Sequence, residues 1–199
     1  MAQTPLSTSS IIGILLAGGF SRRFGPQNKL LQPLPNGQSV AMSAAQALIG
    51  ALPNSVAVIR ATESALADAL TALGFKVVAC EEQHQQMSDS MKLGIVSAQA
   101  AFPALTGMVI ALADMPFIHT ETIQQVAQRL AHAPIVQPEH QGQPGHPVGF
   151  QHELIPQLMR VEGDQGARAV MRAHQAEVLR FECHDAGILR DIDTPADLA

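Results

Sequence analysis

Three stretches of this chain carry side chains able to handle a polyanion. The first is Gly18-Gly19-Phe20-Ser21-Arg22-Arg23-Phe24-Gly25-Pro26-Gln27-Asn28-Lys29. Glycine lacks a Cβ, so backbone amides there can approach a ligand and form an anion-binding concavity. Two arginines and a lysine within eight residues add cationic donors suited to phosphate oxygens. The stretch reads as a triphosphate loop, with a plain strand-to-helix turn bearing solvated basic residues as the alternative. It is neither the Gly-Lys-Ser/Thr loop nor the G-x-G-x-x-G loop. The second stretch is Ala113-Asp114-Met115-Pro116, and the third is Asp191-Ile192-Asp193-Thr194-Pro195-Ala196-Asp197. Mg²⁺ takes oxygen ligands, often one or two carboxylates together with phosphates and water. Asp114 with one of Asp191 and Asp193 is therefore a candidate Mg²⁺ pair, solvated strand-end charge being the alternative for the last two. In an extended segment Asp191 and Asp193 share a face. Asp197 reads as a first-turn helix charge.

These groups need a frame that brings distant segments to one place. Residues 11–16 form an apolar run expected to be a buried strand. Further strands are expected at 56–60, 75–80, 108–112, 135–137, 148–150, 177–181 and 188–192. Helices are expected from Ser39 to about residue 50, from Thr62 to near Gly74, from Ser88 or Ser90 toward residue 101, and at 120–132, 153–160 and 165–174. Residues 138–150 read as a Gly-, Pro- and His-rich loop entering a short strand. Thr194 as N-cap and Pro195 as first residue would start a last helix. The alternation implies an α/β fold, Rossmann-like, with a mainly parallel sheet and helices on both faces. Ligands of such sheets bind beyond the carboxyl ends of the strands. The glycine loop follows the first strand and Asp114 follows the 108–112 strand, so the two would meet at one edge.

With 199 residues the chain fits a single domain over residues 11–199, after a frayed tail at residues 1–10. A net charge of −5 leaves no basic field for nucleic acid. No Trp or Tyr and only seven Phe argue against a base-stacking platform. No apolar run approaches the ~18 residues of a membrane span, and the polar start lacks signal-peptide character. Cys80 and Cys183, in no metal or redox spacing, read as reduced thiols. A cytoplasmic protein is expected. His132, His140, His146 and His152 match no zinc spacing.

Taken together, the motifs resemble those of the MobA-like nucleotidyltransferases. The similarity lies in L-A-G-G-F-S-R-R-F-G-P-Q-N-K-L-L at 16–31, A-D-M-P at 113–116, P-G-H-P-V at 144–148, G-D-Q-G-A-R at 163–168 and D-I-D-T-P-A-D-L at 191–198. It spans nearly the whole chain. Within the family the later motifs resemble the molybdenum cofactor cytidylyltransferases, whereas Ala17-Gly18-Gly19 is closer to the guanylyl branch. The resemblance implies the family's Rossmann-like fold and Mg²⁺-dependent transfer of CMP from CTP to the terminal phosphate of molybdopterin. It implies that Ala17, Gly18, Gly19, Ser21, Arg23 and Lys29 bind the nucleotide, with Gly18, Gly19, Arg23 and Lys29 on the triphosphate. Ser88, Asp89 and Ser90 would lie near base and ribose. Arg23, Lys29 and Asp114 would be catalytic, with Asp114 and one of Asp191 and Asp193 on the metal. His146, Asp164 and Arg168 would line the acceptor pocket. A molybdoenzyme or its chaperone would be the recipient of the product.

A phosphate nucleophile is already ionised near neutral pH, so no general base is required. The protein must align two anions and neutralise charge on departing pyrophosphate. Three alternatives remain: GTP on the same acceptor, another phosphorylated acceptor, and a non-catalytic cofactor carrier.

Overall fold

The computed structural model describes residues 10–19, 24, 28–81, 83–84 and 86–198. Its centre is β1 (Ile11–Ala17), flanked in parallel by β2 (Ser55–Arg60) and β4 (Gly107–Leu112). Leu15 pairs with Ala57 on one side and Ala111 on the other. Beyond β2 lies β3 (Lys76–Cys80), also parallel. Beyond β4 lie β7 (Val148–Gln151), running antiparallel, and then β5 (Ile135–His140). β5 also pairs with β6 (Gln143–Pro144) and, in parallel, with β8 (Val178–Glu182). The sheet is mixed because β7 runs against both its neighbours, β4 and β5, and β6 runs against β5.

Side chains alternate across β1 with the period of a strand. Ile11, Leu15 and Ala17 face one core, with Val40, Ala44 and Leu48 of α1 (Val40–Ala51) and Ile123 and Val126 of α4 (Thr120–Arg129). Ile12 and Ile14 face the other, with Met91, Ile95 and Ala98 of α3 (Met87–Ala101). Helices thus cover both faces, as the alternation of elements implies.

Local chemistry sets the helix ends. Ser39 Oγ accepts from the Met42 N–H at 3.4 Å and starts α1. α2 (Ser64–Ala72) ends at Gly74, whose φ is +103°. The Phe75 N–H reaches Leu70 O and the Gly74 N–H reaches Thr71 O, the two bonds of a Schellman cap. α5 (Ile155–Leu158) and α6 (Arg168–Ala173) are shorter than expected, each preceded by a 3-10 turn.

Four expectations need correction. α3 starts at Met87 rather than at Ser88 or Ser90, because Asp89 at its third position accepts the Gln86 N–H at 3.0 Å. Residues 138–147 are not simply a loop. β5 continues through Pro138 and turns at Gln141 and Gly142, with φ +52° and +77°, into β6. Both turn residues have positive φ, as a tight two-residue hairpin requires. Residues 188–192 are not a strand. Asp185 Oδ1 accepts the Gly187 N–H at 2.9 Å and winds Ala186–Leu189 into a 3-10 turn. The final helix is a four-residue 3-10 turn, Pro195–Leu198. Thr194 does not cap it by accepting: its Oγ1 donates to Asp197 Oδ2 at 2.8 Å.

Among the described residues no helix is long and apolar enough to cross a membrane, and Cys80 and Cys183 are buried free thiols. The expected tail falls almost entirely outside the described residues.

Candidate active site

β1 stands between β2 and β4, so the chain leaves its carboxyl end in one direction and returns on the other side. That is a topological switch point, where crossing connections open a crevice. Gly18 and Gly19 follow β1 there. The Ala113 N–H extends the pairing by bonding Leu16 O at 3.1 Å, and Asp114 follows at once.

Lys29 reaches the same place from a 3-10 turn, Lys29–Leu31. Asn28 Oδ1 accepts the Leu30 N–H at 2.9 Å, and Leu30 anchors the turn in the core. The Lys29 ammonium donates to Asp114 Oδ2 at 2.7 Å and to Asp193 Oδ1 at 3.2 Å. Lys29 itself is only 8% exposed. Burial pulls its pKa down, but the Asp114 and Asp193 carboxylates outweigh this and hold it above the ordinary lysine value. The Asp191–Asp197 segment is held against Asp114 by the Ile192 N–H, which bonds Asp114 O at 2.8 Å. Asp197 accepts the Asp193 and Thr194 N–H groups, which fix the backbone at Asp193. Of the two candidate second carboxylates, Asp193 meets Lys29, while Asp191 is exposed to solvent.

The start of α3 lies beside the loop after β1. Ser88 and Ser90 are buried there, at its second and fourth positions. A Cβ on Gly18 would lie 2.8 Å from Ser90 Oγ and 3.4 Å from Cys80 Sγ. Gly18 O accepts from Arg60 Nη1 at 3.3 Å. A Cβ on Gly19 would meet nothing within 4 Å. The room left by glycine at position 18 is therefore filled by Ser90, while the approach at Gly19 is open. Arg60 is a contributor that the motifs did not reveal, since it ends a strand outside all of them.

His146 sits on a braced loop. Its N–H bonds Ile188 O at 3.0 Å, the Gly145 N–H bonds Pro138 O at 2.9 Å, and Gln137 Nε2 bonds Gly145 O at 3.1 Å. Its Nδ1 is shut off from solvent with no hydrogen-bond partner among the described residues. Burial, helped by Arg168 and opposed by Asp114, pushes its pKa down to about 4. Asp114 and Arg168 thus both lie within electrostatic reach of His146.

Asp164 and Asp89 both bond the backbone at the start of α3. Asp164 Oδ1 accepts the Met87 N–H at 3.1 Å, and Asp89 caps its own helix. Asp185 was also not singled out by the sequence motifs. Only 3% exposed, it accepts from the His119 N–H, the Thr122 hydroxyl and the Gly187 N–H, tying the C-terminal segment to α4. Ser21 and Arg23, expected to bind the nucleotide, lie outside the described residues.

The residues offer oxygen donors that would suit a hard divalent cation. Asp114 and Asp193 already converge on a single cationic nitrogen, with oxygen donors only. No group of three or more His, Cys, Asp or Glu able to hold a metal occurs among the described residues. Such a pair suits a hard ion that completes its shell with phosphate and water, as Mg²⁺ does.

An α/β sheet with a lysine and two carboxylates at its switch point is a framework for handling phosphorylated ligands. The chain belongs to the MobA-like NTP transferase domain family, whose model matches residues 13–178. It is 28% identical over 196 residues to the purine catabolism protein PucB of Bacillus subtilis (strain 168), covering 94% of this chain and 93% of that protein. The fold is shared with the manganese complex of Rv0371c from Mycobacterium tuberculosis H37Rv (TM-score 0.77, 22% identity, 94% and 95% of the two chains). It is also shared with a nucleotidyl transferase from Methanothermobacter (TM-score 0.79, 19% identity, 94% of each chain).

Proposed function

We propose that this protein is a nucleotidyltransferase that moves CMP from CTP to the terminal phosphate of molybdopterin, releasing pyrophosphate. The observation that carries this reading is the convergence of Lys29, Asp114 and Asp193 at the switch point. In this reading a phosphate oxygen of the acceptor bonds the α-phosphorus, and the bond from that phosphorus to the β-phosphate bridging oxygen breaks. Gly18, Gly19, Arg23 and Lys29 hold the triphosphate, and Lys29 neutralises charge on the departing pyrophosphate. Ser88 and Ser90 face the nucleoside. Asp114 and Asp193 hold Mg²⁺, which supplies Lewis-acid polarisation of the phosphates. His146 and Arg168 meet the acceptor, Arg168 as the cation and His146 as a neutral hydrogen-bonding ring.

The residues Ala17-Gly18-Gly19 support a second reading in which GTP replaces CTP. Packing offers another reason for glycine at position 18, because Ser90 Oγ stands where a Cβ would go. The name of PucB places that protein in purine catabolism, so an enzyme of purine breakdown is the recipient to examine first. The deciding experiment is competition between CTP and GTP, with Mg²⁺ and molybdopterin present. Pyrophosphate release should be faster with CTP. Faster release with GTP would change the base, and release only with other phosphorylated acceptors would change the substrate class. Cofactor delivery that survives without any turnover would favour a carrier.

A further inference from the structure

The turn at Gly163-Asp164-Gln165-Gly166 is fastened to the start of α3 at three points. The Gly163 N–H donates to Gln86 Oε1 at 2.9 Å, and the Met87 N–H donates to Asp164 Oδ1 at 3.1 Å. A Cβ on Gly166 would lie 2.9 Å from Met87 Sδ, so the turn packs directly on that side chain. Gly163 and Gly166 have φ of +77° and +52°, which suits glycine at both ends of the turn. Met87 is the first residue of α3, and its N–H has no partner within the helix. A carboxylate there also meets the positive end of the helix. One turn further along, Ser90 Oγ packs against Gly18 and touches Cys80 Sγ at 3.4 Å. The same helix end therefore contacts both the 163–166 turn and the loop after β1.

We propose that Gln86 and Asp164 are positioning residues for the nucleotide: they hold the first turn of α3, which carries Ser88, so that Ser90 stays seated beside Gly18. This rests on the reading of Gly18, Ser88 and Ser90 as the nucleotide side of the site. It gives Asp164 a role different from the acceptor contact that the family resemblance implies. Its accepting oxygen matters, and its negative charge is secondary. The turn leads directly into α6 through Arg168, so acceptor bound at Arg168 steadies the same latch. Acceptor should accordingly tighten nucleotide binding, and nucleotide should tighten acceptor binding by the same factor.

The test measures nucleotide dissociation constants by calorimetry, with Mg²⁺, for the wild type, Gln86→Ala, Asp164→Ala and Asp164→Asn. Amide hydrogen exchange is followed in parallel over residues 87–90. Both alanine variants should bind nucleotide about 3- to 10-fold more weakly, the scale of one lost hydrogen bond, and exchange faster at residues 87–90. Asp164→Asn keeps an accepting oxygen and should stay within about twofold of wild type on both readouts. Alanine variants that match wild type in affinity and exchange would overturn the proposal. So would an Asp164→Asn variant as impaired as Asp164→Ala, or one altered only in its acceptor KM. A wild type that binds nucleotide without releasing pyrophosphate would sink the proposed reaction while leaving the latch intact. A wild type that binds neither CTP nor GTP would overturn both.

Discussion

At Lys29, one ammonium bonds two carboxylates that come from segments 85 and 164 residues away in sequence. Removing it leaves Asp114 and Asp193 facing each other without a cation. Lys29→Met is expected to lower kcat/KM for nucleotide transfer by about 100-fold or more, the scale of losing one preorganised charge contact. Its effect on stability has a defined sign with pH. Because the folded pKa lies above the unfolded value of 10.5, the stabilisation is complete below that value and is lost as pH rises through the folded value. Alkaline denaturation of wild type should therefore converge on that of Lys29→Met at the top of the range. His146 has the opposite sign. Its folded pKa of about 4 lies below the unfolded 6.5, so unfolding takes up a proton between those values. Stability should fall as pH drops from about 6.5 to about 4, by up to about 3 kcal/mol, and level off below. His146→Gln should remove that part of the slope in urea melts run across the window.

The elements divide into those that announce themselves in sequence and those that depend on a distant partner. β1, β2 and β4 are continuous apolar runs, and α1 and α2 carry Ser39 and Gly74 at their ends, so local physics suffices to find them. The turn at Ala186–Leu189 depends on Asp185, a buried carboxylate whose other donors come from His119 and Thr122. Nothing local distinguishes that aspartate from a solvated one. The β5–β6 hairpin was hidden because Gln141 occupies a position where Asn or Gly is usual, and Pro138 and Pro144 sit in the paired strands. Asp185→Ala would leave three donors without their acceptor. It should cost about 3–5 kcal/mol in denaturant melts, with the loss concentrated in hydrogen exchange of residues 183–193, the segment that carries Asp193. Uniform exchange across the whole chain would contradict that tie.

On the scale of the molecule, the sheet order converts separation in sequence into proximity. Parallel strands beside β1 place the loops after β1 and β4 at one edge, which the strand-helix alternation made legible in advance. What the sequence left open was which of Asp191 and Asp193 turns inward. That choice is made by the Ile192 N–H bond to Asp114 O and by Asp197 gripping the Asp193 N–H. At Asp164, where the family resemblance implies an acceptor contact, one carboxylate oxygen bonds the α3 backbone, a tie that no local pattern announced.

The most direct measurement is pyrophosphate release from CTP, with molybdopterin and Mg²⁺, by wild type, Asp114→Ala and Asp193→Ala, repeated after chelation of the metal. A shared cation-and-carboxylate centre should give turnover by the wild type alone, abolished by chelator and restored by Mg²⁺, with both variants reduced about 100-fold or more. Turnover by Asp114→Ala equal to that of the wild type, or turnover indifferent to chelator, would contradict it.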